Sequence, residues 1–123
     1  MKEVRVDDAP SSIGPYSQAV VHGDLVFCSG QLGLDPVKGV LVEGAVEQAR
    51  QALVNLEAVL RGAESSLHKG LRVTLYLTDL SVFPRINEVY AEFFVPPFPA
   101  RTAVQVSALP KGALVEIDII ARR

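Results

Sequence analysis

An α+β fold, in which a mixed sheet carries two helices packed on one face, follows from three features of this sequence. Apolar residues between Glu43 and Arg61 recur every three or four positions. Segments such as Leu71–Leu77 and Leu114–Ala121 instead alternate every second position. Strand-like and helix-like stretches succeed one another in the order βββαβαββ. With 123 residues and no repeat, low-complexity tract or linker, residues 1–123 read as a single domain.

Val4–Val6 is the first strand candidate, and the Asp, Pro, Ser and Gly of DDAPSSIGPY (Asp7–Tyr16) predict a loop after it. Ser17–Val21 and Leu25–Ser29 are β-rich runs separated by His22, Gly23 and Asp24, the spacing of a hairpin. DPVKG (Asp35–Gly39) marks a turn. The first helix, Glu43–Arg61, places Val46, Ala49, Leu53, Leu56 and Leu60 on one stripe and ends at Gly62. Leu71–Leu77 is a strand by its alternation. Ser81 is placed to cap a second helix, Val82–Phe94, whose first turn tolerates Pro84 because its missing N–H would be unpaired anyway. Phe83, Ile86, Val89, Tyr90 and Phe93 form its apolar face, with Asn87 turned away. Pro96, Pro97 and Pro99 then force an extended path into the strand Arg101–Val106. LPKG makes a turn, and Leu114–Ala121 is the last strand.

Read as adjacent strands, the last two share an apolar face and a face bearing Arg101, Gln105, Glu116 and Asp118. Helices on one side leave the other side of the sheet needing cover, and there polar residues mix with Leu114 and Ile120. Charged residues make up 21% of the chain, below the roughly 25% of an average domain, while 49% is hydrophobic. The low charged share means either an unusually large core or apolar surface that meets another subunit, and the uncovered sheet face supports the second.

A net charge of −2 and the absence of any Lys/Arg-rich run argue against nucleic-acid binding by phosphate neutralisation. MKEVRVDDAP lacks the apolar stretch of a signal peptide, and no segment approaches 18 uninterrupted apolar residues, so a cytoplasmic protein without membrane association is expected. Cys28 is the single cysteine, which fits a reducing compartment. His22 and His68 have no Cys or His neighbours at ligand spacing, and no P-loop or GxGxxG occurs, so no metal or cofactor is expected.

Arg101, projecting from a strand straight after a rigid proline segment, is either a carboxylate-binding fork, an ordinary surface arginine, or an arginine paired with Glu116. Glu116 is correspondingly either that partner or a carboxylate that orients water. Tyr16 and Ser29 flank Gly14 and Gly30, where backbone can approach a ligand or simply turn. Asn87 suits a solvated helix face or a site equally.

Six segments in order, GPYSQA (Gly14–Ala19), CSGQLGLDP (Cys28–Pro36), NLEAVL (Asn55–Leu60), VTLYLTDL (Val73–Leu80), FPART (Phe98–Thr102) and LPKGALVEIDIIA, resemble the successive signatures of the Rid family, the YjgF-type proteins. The resemblance implies a chorismate-mutase-like fold and a homotrimer with ligand clefts between subunits. It also implies hydrolysis of reactive 2-imino or enamino acids (2-iminobutanoate and 2-iminopropanoate) to 2-keto acids and ammonia, without a cofactor. By the same resemblance Arg101 holds the substrate carboxylate and Glu116 positions the attacking water. Tyr16, Ser29 and Asn87 would line the cleft, and Gly30 would face the ligand with its backbone. Two departures stand out: Ala103 replaces a cysteine common in the imine-deaminase branch, and the Phe94-to-Phe98 connection, VPP, is shorter than in many relatives. They leave room for a metabolite-binding regulator that uses the same cleft without turnover. A ribonuclease or translation inhibitor, an activity linked to some relatives, fits the acidic charge poorly.

Overall fold

In the computed structural model, which describes residues 1–123, the strands are Lys2–Val4 (β1), Ala19–His22 (β2), Leu25–Cys28 (β3), Gln31–Leu32 (β4), Gly70–Leu77 (β5), Ala100–Gln105 (β6) and Val115–Arg122 (β7). The helices are Ala45–Gly62 (α1) and Phe83–Phe93 (α2). All seven strands join one sheet in the order β1-β2-β3-β7-β5-β6, with β4 also paired to β7. Only β5 and β6 run parallel, joined through α2 as a parallel pair requires. The expected α+β class, mixed sheet and two helices are all present.

The predicted periodicities explain where the core sits. Val73, Leu75 and Leu77 of β5 pair with Ile119, Ile117 and Val115 of β7, and all six side chains are buried under the helices. Leu53, Leu56 and Leu60 of α1 and Ile86 and Val89 of α2 complete that core. The opposite face carries no helix. Phe27, Ile120, Thr74, Tyr76, Glu116, Asp118 and Val104 lie there, with Phe27 and Val104 more than a third exposed.

Several boundaries differ from expectation for identifiable reasons. Gly62 is the last residue of α1 rather than a left-handed stop; Glu64 takes that conformation, at φ 62°. Gly62 is needed for approach, because a Cβ there would lie 2.3 Å from Cγ1 of Val6. Ser81 does not cap α2. Asp79 accepts a bond from the Ser81 N–H (2.9 Å) and opens a short 3₁₀ turn, Leu80–Val82, that leads into the helix, with Pro84 in its first turn. The strand β4 was not expected. It continues β3 along β7 after a one-residue slip, since Phe27 pairs with Ile120 but Gln31 pairs with Ile117. Cys28, Ser29 and Gly30 occupy this bulge, an irregularity common beside functional sites. No helix is long and apolar enough to cross a membrane.

Candidate functional site

Arg101 lies on β6 opposite Val73 of β5, so its side chain projects to the helix side of the sheet. There its Nη1 donates to Oδ1 of Asn87 (2.7 Å), and its Cζ sits 5.1 Å from the ring centre of Phe83 and 4.6 Å from that of Tyr90. Arg101 is partly buried as a residue, and its guanidinium forms no ion pair. Asn87 is exposed and off the buried stripe, as expected, but it lies close to the stripe's edge. Four residues after Phe83 is about 40° around a helix, so Asn87 borders the stripe and reaches the same guanidinium.

Glu116 occupies the other side. It pairs across β7–β5 with Tyr76, which pairs with Val104 of β6, so Glu116, Tyr76 and Val104 share the face without helices. The expectation of a common face for Arg101, Gln105, Glu116 and Asp118 is therefore wrong. The two strands are not neighbours, because β5 lies between them, and the parallel register with β5 turns Arg101, Ala103 and Gln105 inward. Pairing of Arg101 with Glu116 within one chain is excluded by the same geometry.

Around Glu116 the chain forms a cavity of about 470 Å³, whose lining includes Tyr16, Gly30, Leu32, Lys38, Lys111 and Glu116. Gly30 is directly beneath the carboxylate: a Cβ there would meet Glu116 Oε2 at 2.2 Å. Burial, and secondarily the charge of Asp118, raise the Glu116 carboxyl above its ordinary pKa. Tyr76 donates its hydroxyl to Asp118 Oδ2 (3.0 Å). Ser29 lies beside Gly30 but spends its hydroxyl hydrogen on the Ser17 carbonyl (2.6 Å), tying the bulge to the segment that carries Tyr16. Gln18 fixes the other end of that segment, accepting from the Val6 N–H (2.7 Å) and donating to the Pro10 carbonyl (2.8 Å).

Cys28 packs against the core, and burial followed by the charge of Asp118 pushes its thiol up to about 12, so it supplies no nucleophile near neutral pH. No three His, Cys, Asp or Glu side chains converge as a metal site. The predicted residues thus fall into two groups on opposite faces: Arg101 with Asn87, and Tyr16, Gly30 and Glu116 with Ser29 behind them.

Three contributors escaped the sequence reading. Asn55, fully buried in α1, donates to the carbonyls of Leu32 (3.1 Å) and Leu34 (3.0 Å) and so holds β4 under the cavity. The apolar stripe places Phe83 and Tyr90 in the core alone. A polar residue wedged between two aromatics at helical spacing was the available signal.

Over residues 6–123 the chain matches the family model described as Endoribonuclease L-PSP, the group that includes the Rid and YjgF-type proteins. The chain belongs to the Rid family. It is 46% identical over 121 residues to the 2-iminobutanoate/2-iminopropanoate deaminase of Bos taurus, covering 98% of this chain and 88% of that one. Among solved structures, RidA from the Antarctic bacterium Psychrobacter sp. PAMC 21119 superposes with a TM-score of 0.98 at 45% identity, covering 100% of both chains. E. coli TdcF with bound serine superposes with a TM-score of 0.95 at 38% identity, covering 100% of this chain and 99% of that one. The fold is accordingly the chorismate-mutase-like fold that the Rid motifs implied.

Proposed function

We propose that this Rid protein hydrolyses 2-iminobutanoate and 2-iminopropanoate to the 2-keto acids and ammonia, in clefts completed by neighbouring subunits of a homotrimer. One observation carries the reading: Arg101 is partly buried as a residue, its guanidinium is held by neutral groups, and it has no counterion in its own chain. A cation fixed in this way is a prepared anion site, and its planar fork matches a carboxylate. The deaminase name of the bovine relative and the serine bound to TdcF, itself an α-amino carboxylate, support that ligand class.

Since Arg101 and Glu116 lie on opposite faces of one sheet, both reach one substrate only if they come from different subunits. The uncovered face with Phe27, Val104 and Ile120 suits such an association. In the cleft, Arg101 fixes the carboxylate and Glu116 of the partner subunit takes a proton from water as its oxygen adds to the imine carbon. That proton passes to the imine nitrogen to give the carbinolamine; the carbinolamine hydroxyl proton then moves to the amine as the C–N bond breaks and the C=O forms, releasing ammonia and the keto acid. The raised carboxyl of Glu116 suits proton transfer better than an ordinary surface glutamate would. Gly30 brings backbone close to the reacting centre, Tyr16 and Asn87 shape its walls, and Ser29 braces the bulge behind them.

Loss of two charge-assisted hydrogen bonds at roughly 1.5 kcal/mol each predicts about a hundredfold fall in kcat/KM for Arg101→Ala. Imine generated in situ by a serine or threonine dehydratase provides the assay. An Arg101→Ala protein that still accelerates keto-acid formation as the parent does would overturn the assignment.

A further inference from the structure

We propose that Phe83 and Tyr90 are positioning residues: their rings form a slot that holds the plane of the Arg101 guanidinium in line for bidentate carboxylate capture. This rests on the ligand-anchor reading of Arg101 given above and adds to it how the fork is aimed.

The slot follows from spacing on α2. Phe83, Asn87 and Tyr90 stand at i, i+4 and i+7, on one side of the helix. Two turns separate the outer pair by about 10.5 Å, which leaves room for one planar group between two rings. Arg101 occupies that room, its Cζ 5.1 Å from the centre of the Phe83 ring and 4.6 Å from that of Tyr90. Between them, Asn87 takes a hydrogen bond from Nη1 (2.7 Å) and fixes rotation within the slot. Tyr90 is in turn backed by Phe94, stacked at 4.3 Å with an interplanar angle of 23°, so that wall is rigid.

Two features separate this arrangement from ordinary core packing. Arginine has five N–H donors, and only one is used here, so the rings orient the guanidinium without consuming the donors a ligand needs. The Tyr90 ring faces the guanidinium, while its hydroxyl is buried without a hydrogen-bond partner in the chain. An acidic partner would have held Arg101 equally well but would have neutralised it. Two aromatic faces and an amide hold it while leaving the charge available.

The test compares Phe83→Leu, Tyr90→Leu and Tyr90→Phe with the parent, using 2-oxobutanoate as the carboxylate probe and the arginine Nε–H resonance of Arg101 as the spectroscopic probe. Each leucine variant should weaken 2-oxobutanoate binding about tenfold, one cation–π contact with partial desolvation, and abolish part of the upfield ring-current shift of the Nε–H. Tyr90→Phe should restore what Tyr90→Leu loses. Phe83 is only partly buried, so Phe83→Leu carries the test if Tyr90→Leu does not fold. Parent-like binding and an unmoved Nε–H resonance in Phe83→Leu would overturn the slot. If Arg101→Ala itself leaves 2-oxobutanoate binding intact, the anchor reading fails; if it abolishes binding while the leucine variants do not weaken it, only the slot fails.

Discussion

Gly30→Ala tests the placement of Glu116. Gly30 is absent from the residues of positive φ, so alanine meets no backbone strain, and the whole effect lies in the added methyl. That methyl carbon would stand 2.2 Å from Glu116 Oε2 and 2.9 Å from its Cδ. To regain ordinary contact the carboxylate must retreat by about 1 Å. A misplacement of that size costs on the order of a hundredfold in rate when the displaced group aligns a reactant. The Glu116 side chain borders an open cavity and can swing, so the melting temperature should change little. Steady-state deamination of dehydratase-generated imine, alongside thermal unfolding, reads both quantities. A parent-like kcat/KM in a folded Gly30→Ala protein would refute the argument that Glu116 must stand where it does.

Glu116→Gln should lower kcat by about 10² to 10⁴, and the parent rate should fall on the acid side at a pH above the 4.5 of an ordinary glutamate. The same shift sets a stability trend: the folded carboxyl holds its proton more tightly than the unfolded one, so its contribution is greatest at low pH and is lost as pH rises through the folded pKa. Glu116→Gln should therefore melt higher than the parent at pH 8, with the gap closing toward pH 4; a gap that widens on acidification contradicts the assignment. Cys28, with its thiol raised to about 12 and packed on the core, should resist iodoacetamide in the native protein and react on denaturation. Rapid native labelling would show that the bulge opens.

What the sequence disclosed and what it hid divide along physical lines. The stripe Leu53, Leu56 and Leu60 and the alternation Val73, Leu75 and Leu77 are strong local patterns, and both fix elements of the core correctly. On β6 the pattern is weak, because Thr102 and Ala103 are nearly indifferent to burial, and the face of Arg101 is decided instead by its parallel partner Val73. Strand order is equally non-local: no residue near Arg101 announces that β5 will lie between β6 and β7. The slip at Cys28–Gly30 likewise depends on pairing with a strand almost ninety residues away, so the role of Gly30 beneath Glu116 was visible only as a glycine in a family motif. Site residues were named from the motifs, whereas their separation onto two faces is a property of the assembled sheet.

That separation makes subunit mixing the most direct test of the account. Arg101→Ala and Glu116→Gln proteins, each expected to be nearly inactive alone, should be unfolded together in equal amounts and refolded into mixed assemblies. If every cleft takes Arg101 from one subunit and Glu116 from the next, about a quarter of the clefts regain both side chains, and about a quarter of the parent activity should return. Activity no higher than that of the separate variants, in assemblies shown to have mixed, would contradict a site shared between subunits.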